Sequence, residues 1–208
     1  MSNLPFQLSP ALAERLAAAI DVEGKIPRAL EALGALAGRD VLLLDVPDGL
    51  LARRLEADGV RPSRATLASP LRIGLPDGSL DAVVSLWTGF RGVDAADVAE
   101  VDRVLRPDGR LLVVHDYGRD DISSLRPPDA PEYASWSRRD GPFLRGGGFR
   151  VRVLHCFWSF TDVEAARAFL GEAFGAPGVA LGERMKRPRL SWNVAVYHRG
   201  RGGTLPAA

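Results

Sequence analysis

Leu75-Pro76-Asp77-Gly78-Ser79-Leu80-Asp81-Ala82-Val83-Val84-Ser85, with Arg103-Val104-Leu105-Arg106-Pro107-Asp108-Gly109-Arg110-Leu111-Leu112 downstream, decides the fold of this 208-residue chain. Pro76-Asp77-Gly78 reads as a turn, and the apolar run after it predicts a strand from Ser79 to Leu86 buried on both faces. Asp94 to Leu105 places Val98, Val101 and Leu105 at helical spacing. Pro107 with Gly109 then stops the helix and turns the chain into a strand from Arg110 to His115. Strand, helix and strand in this order predict parallel α/β packing.

Working outward, Val41-Leu42-Leu43-Leu44-Asp45 is a further short apolar run, followed at once by a helix from Asp48 to Leu55. Two helices precede it. Pro10 to Ile20 starts after Ser9, and Gly24 to Ala37 carries Ile26, Leu30, Leu33 and Leu36 on one face. Phe149 to Trp158 and Leu190 to His198 predict two long strands around an amphipathic helix from Thr161 to Phe174. Residues 1–199 are expected to form a single domain, with residues 1–38 capping the sheet and 200–208 a flexible tail.

The quoted pair of segments resembles the fourth strand, the following helix and the fifth strand of class I S-adenosylmethionine-dependent methyltransferases, with Asp108 where that family usually has glycine. The resemblance extends over Val41 to Trp158. It implies a Rossmann-like, mostly parallel sheet of about six strands with helices on both faces, closed by antiparallel strands at the C-terminal end. It also implies S-adenosylmethionine as cofactor and methyl transfer as activity.

The resemblance places the cofactor's methionine portion at the turn after the first strand, where ligands of open α/β sheets sit. The family carries a strand-ending acid and three alternating glycines there; this chain carries Leu43, Asp45, Pro47 and Gly49. Pro47 has no N–H to donate, and Asp45 adds a negative charge beside the ligand's carboxylate. Asp48 reads as the cap of the helix that follows, filling the positive helix end itself. A second departure comes from counting. Two more parallel strands with their crossovers would need ~34 positions, whereas Ala57 to Ser79 offers 23. One short strand, Arg64 to Ala68, fits, so the sheet is expected to be shortened on the adenosine side. That strand leads into Ala68-Ser69, with no acid for the ribose hydroxyls.

His115-Asp116-Tyr117 after the fifth-strand segment is the candidate catalytic cluster, with His115 as a general base. Leu86 and Trp87 are candidate cofactor contacts after the fourth strand. Trp87, Phe90, Trp136, Phe157 and Trp158 read as pocket lining or as core. His155 and Cys156 lie inside a strand and read as structural. The three histidines and the lone cysteine lack metal-ligand spacing, so no metal is expected.

The formal net charge is +1, and only Lys25 and Lys186 are lysines among 27 basic residues. Arg184-Met185-Lys186-Arg187-Pro188-Arg189 is a local basic cluster beside Trp192, but balanced charge elsewhere argues against nucleic-acid binding. Nothing approaches the ~20 apolar residues of a membrane span, and without an export signal the cytoplasm is the expected location. Three functions follow from these residues. The first is a non-catalytic methyltransferase-like protein with an eroded cofactor site, acting through a homodimer or a heterologous protein partner. The second is an active methyltransferase with an atypical turn, holding its cofactor by Leu86 to Phe90 and the backbone near Gly49. The third is binding of another small molecule, or of RNA, in the altered cleft.

Overall fold

A computed structural model describes residues 5–44, 49–65, 70–87, 90, 94–126, 138, 140–145 and 148–203. Helices α1 (Pro10–Ala19) and α2 (Lys25–Gly34) lead into strand β1 (Val41–Leu44), helix α3 (Leu50–Ala57) and the two-residue strand β2 (Ser63–Arg64). Strand β3 (Leu80–Leu86), helix α4 (Ala95–Val104) and strand β4 (Leu105–Asp116) follow. Strand β5 (Arg150–Ser159), the long helical element α5 (Val163–Arg184) and strand β6 (Arg189–Gly200) complete the order.

The six strands form one sheet in the order β2-β1-β3-β4-β6-β5, in which β6 alone runs opposite to the other five. The two long C-terminal strands expected to close the sheet do so, in continuous register from Arg150↔His198 to Ser159↔Arg189. Each apolar run feeds both faces because successive strand residues point opposite ways. Val41 and Leu43 join the core under α1, α2, α3 and α5, while Leu42 and Leu44 join the core under α4.

Several boundaries depart from the sequence expectation. Strand β4 begins already at Leu105, and its pairing with β3 jumps from Leu80↔Leu105 to Ala82↔Arg110, so Arg106–Gly109 bulge out between the two registers. In α4, Val101 is buried as expected and Val104 with it, whereas Val98 stays half-buried. The short strand expected at Arg64–Ala68 is Ser63–Arg64. The helix expected to end at Phe174 continues to Arg184 across a break at Gly175, whose φ of 60° and ψ of −136° reverse the chain. Gly200 belongs to β6 and Arg201–Gly203 form a 3-10 turn, so the expected tail does not start at 200.

The shortened adenosine side is closed by the segment Pro70–Gly78, which α4 holds by side chains. Asp97 accepts the Leu71 N–H at 2.8 Å, and Glu100 accepts the Ile73 N–H at 2.7 Å. Arg103 donates to the carbonyls of Ile73 and Leu75 at 2.8 and 2.9 Å. These bonds substitute for a strand ladder and leave Leu71 and Ile73 buried in the α4-side core. Hydrogen bonds from Arg103 first, then the Ile73 N–H, lower the Glu100 carboxyl from 4.5 to about 2. A depressed carboxylate stabilises the fold fully above its unfolded value and loses that contribution as pH falls through its folded one. Glu100→Ala is therefore expected to cost about 1–3 kcal/mol at neutral pH. In urea titrations across pH, its gap from the parent protein should stay constant above about pH 5 and close towards pH 2.

Candidate functional site

Parallel strands β1, β3 and β4 end side by side, and ligands of open α/β sheets bind beyond such carboxyl ends. Among the sequence candidates, Asp45, Pro47, Asp48, Ala68, Ser69 and the aromatic Trp136 lie outside the described residues. Gly49 is buried and stands at the N-cap of α3 with φ −57° and ψ 130°. At the end of β2 stands Arg64, exposed and ion-paired with Glu56 of α3.

The expected catalytic triplet is divided by the pleat. His115 follows Leu111 and Val113 towards the α4 side, where it is 3% exposed and faces the Phe143 ring, centroids 6.4 Å apart. Asp116 follows Leu112 and Val114 to the opposite face and is 5% exposed. Tyr117 continues the sheet: its N–H donates to the Asn193 carbonyl at 2.8 Å, and Arg119 lies over its ring. The three side chains therefore form no common site.

Asp116 instead centres a buried cluster. It is ion-paired with Arg126, and its Oδ1 accepts the indole N–H of Trp192 at 2.7 Å and that of Trp87 at 3.3 Å. The two indoles stack, with centroids 5.4 Å apart and planes 24° from parallel. Trp87 is the first residue after β3, and its N–H bonds the Val114 carbonyl of β4 at 3.1 Å. Its φ of 49° is in the left-handed region, unfavourable for a side chain this large and sustained here by the surrounding contacts. On the far side, the Arg126 guanidinium lies 4.5 Å from the centre of the Phe6 ring and donates to the Pro5 carbonyl at 3.3 Å.

Sequence reasoning singled out Asp116 and Trp87 but not Arg126 as their partner. Arg126 follows a one-turn helix (Asp121–Leu125) in a loop with no periodic pattern to mark it. For Trp192 a signal exists, since it alternates with Leu190, Val194 and Val196 on the buried side of β6. Trp158 and Phe90 are core residues, 0% and 2% exposed, while Phe157 is half-buried under Arg189. Cys156 is buried in its strand, and burial pushes its thiol upward, away from the reactive thiolate. His155 is exposed, with Nδ1 2.8 Å from Asn193 Oδ1. Among the described residues no group of His, Cys, Asp and Glu is arranged to hold a metal ion. No described helix is long and apolar enough to cross a membrane.

Residues 23–113 match the sequence profile of the family described as Methyltransferase domain. The chain has the Rossmann-like fold of class I methyltransferases. It is similar to a candidate type II methyltransferase from Anaeromyxobacter dehalogenans, with 18% identity over 86% of this chain and 97% of that one, at a TM-score of 0.52. It is also similar to a candidate methyltransferase from an antibiotic biosynthesis pathway of Anabaena variabilis, with 14% identity, 87% and 98% coverage and a TM-score of 0.48. A third similar structure is a candidate methyltransferase in complex with a methyltransferase activator from Haloferax volcanii, with 13% identity, 89% and 92% coverage and a TM-score of 0.42. No curated protein matches the chain in sequence. The family implies S-adenosylmethionine as the ligand of the fold.

Proposed function

We propose that this is a methyltransferase-like protein whose S-adenosylmethionine site is eroded, and that it acts by binding a protein partner as a single cytoplasmic domain. One observation carries the reading. Beyond the carboxyl end of β4, Trp87 stacks on Trp192 while Asp116 is spent on Arg126 and both indoles. The sheet end that would present an acceptor is thereby filled with side chains, and the best-placed carboxylate is neutralised.

The cofactor side agrees with this. Ribose hydroxyls need a hydrogen-bond acceptor, and a carboxylate at the end of the second strand is how such folds supply one. This chain ends β2 with a cation, Arg64, whose charge is taken up by Glu56. Asp45 and Pro47 add a charge and remove a donor where the methionine carboxylate would lie.

Isothermal titration with S-adenosylmethionine, and separately with S-adenosylhomocysteine, tests the reading after mass spectrometry shows no co-purified ligand. No heat and no thermal shift are expected, with light scattering or co-purification reporting a dimer or a complex. One-to-one binding at micromolar affinity would instead establish the active methyltransferase with an atypical turn.

A further inference from the structure

The basic segment Arg184 to Arg189 lies between α5 and β6 and borders an open cleft of about 530 Å³, a size typical of small-ligand sites. The floor of the cleft is apolar: Leu181, Met185 and Leu190 are 5%, 7% and 3% exposed and line it. Arg184, Lys186 and Arg187 are exposed on its rim, and none is within ion-pair distance of a carboxylate among the described residues. Arg184 stands in the last turn of α5, where a cation also complements the helix dipole. Lys186 and Arg187 lie beyond the helix and have no such role.

Two acidic residues share the cleft, and both are committed to the framework. Asp121 accepts the N–H and the hydroxyl of Ser191 at 2.8 and 2.7 Å. Asp120 accepts the Ser123 N–H and hydroxyl at 2.9 and 2.7 Å and the Asn193 N–H at 2.7 Å. These bonds tie the one-turn helix to β6 and form one wall. Arg167 anchors the opposite wall by donating to the carbonyls of Gly182 and Met185 at 3.1 and 3.3 Å. The rim thus carries three exposed cations that form no ion pair among the described residues, while the oxygens of Asp120 and Asp121 are engaged by Ser123, Ser191 and Asn193, above an apolar floor.

We propose that this cleft binds a small organic phosphate, its phosphate held by Arg184, Lys186 and Arg187 and its apolar body resting on Leu181, Met185 and Leu190. Guanidinium groups suit a phosphate because their paired N–H donors match its oxygens. The site is separate from the Asp116 cluster and stands whether or not the methyl donor binds. Nucleic acid would use the same rim, yet the concave shape and apolar floor give a flexible polyanion no advantage over a small ligand.

Titration of the full chain with hexyl phosphate, inorganic phosphate and a short single-stranded RNA tests the assignment. Hexyl phosphate is expected to saturate one site and to bind more tightly than inorganic phosphate. The double substitution Arg184→Ala with Arg187→Ala should weaken it about tenfold or more. Arg150→Ala with Arg152→Ala, which removes two exposed charges from β5, serves as the control and should leave affinity unchanged. Equal losses in both pairs would reduce the effect to net charge and overturn the site. Inorganic phosphate binding as tightly as hexyl phosphate would remove the apolar floor from the assignment. Salt-dependent RNA binding lost in the Arg184/Arg187 variant, without saturable hexyl phosphate binding, would make the segment a nucleic-acid surface instead.

Discussion

Asp116→Ala is expected to destabilise the protein by about 3–5 kcal/mol, the cost of leaving one member of a buried ion pair uncompensated. Arg126 would keep its charge with a side chain only 17% exposed. The Trp192 indole, 0% exposed, would lose its acceptor as well. Asp116→Asn keeps an acceptor for the indoles and removes only the charge, so a smaller loss is expected. Replacing Asp116 and Arg126 together by leucines should recover much of the deficit, because removing both partners leaves no unpaired charge. Urea unfolding followed by tryptophan fluorescence, to which Trp87 and Trp192 contribute, measures all three. The same series bears on function. If Asp116→Asn were nearly as stable as the parent and abolished a measured methyl transfer, the carboxylate would be catalytic and the closed-site reading would fail.

Gly178→Ala is expected to be almost as damaging, at about 3 kcal/mol or somewhat more, through overpacking against backbone. The chain reverses at Gly175, and the arm after it returns along the first. Gly178 thereby lies against Leu170, and a methyl group there would overlap the Leu170 carbonyl oxygen and come within 3.1 Å of Phe174 Cβ. Neither obstacle can swing aside. Gly182→Ala supplies the contrast, since its methyl would meet Arg167 Cγ at 3.2 Å and its Cα at 3.5 Å. Only the Cγ contact is tight, and the Arg167 side chain can give by a few tenths of an ångström while keeping its bonds to Gly182 and Met185, so a smaller effect is expected there. Thermal melts of the two variants should separate clearly. Because the second arm carries Leu181 and Arg184 into the cleft, Gly178→Ala should also weaken hexyl phosphate binding, whereas Gly182→Ala should leave it largely intact.

Local sequence determined the elements whose pattern is self-contained. Val41–Leu44 and Leu80–Leu86 are apolar runs that only a strand covered on both faces can hide, and the alternation in Leu190 to His198 marks a strand whose Leu190, Trp192, Val194 and Val196 share one face. The turn chemistry around Pro76 to Gly78 and Pro107 to Gly109 set their order, and chain length alone left no space for a full adenosine side. Such features depend on neighbours in sequence, where steric and hydrophobic preferences act without the rest of the molecule. The second arm of α5 escaped the same reading because Ala176 to Gly182 is small and apolar nearly throughout, giving helical spacing nothing to contrast. The site was decided by tertiary structure. Asp116 reaches Trp87 and Trp192 across 29 and 76 positions of chain. Its pairing with Arg126 depends on where a loop folds back over the sheet. A carboxylate's role is set by the charges and donors around it, and only the assembled fold brought those to Asp116 and gathered Arg184, Lys186 and Arg187 at the rim of one cleft.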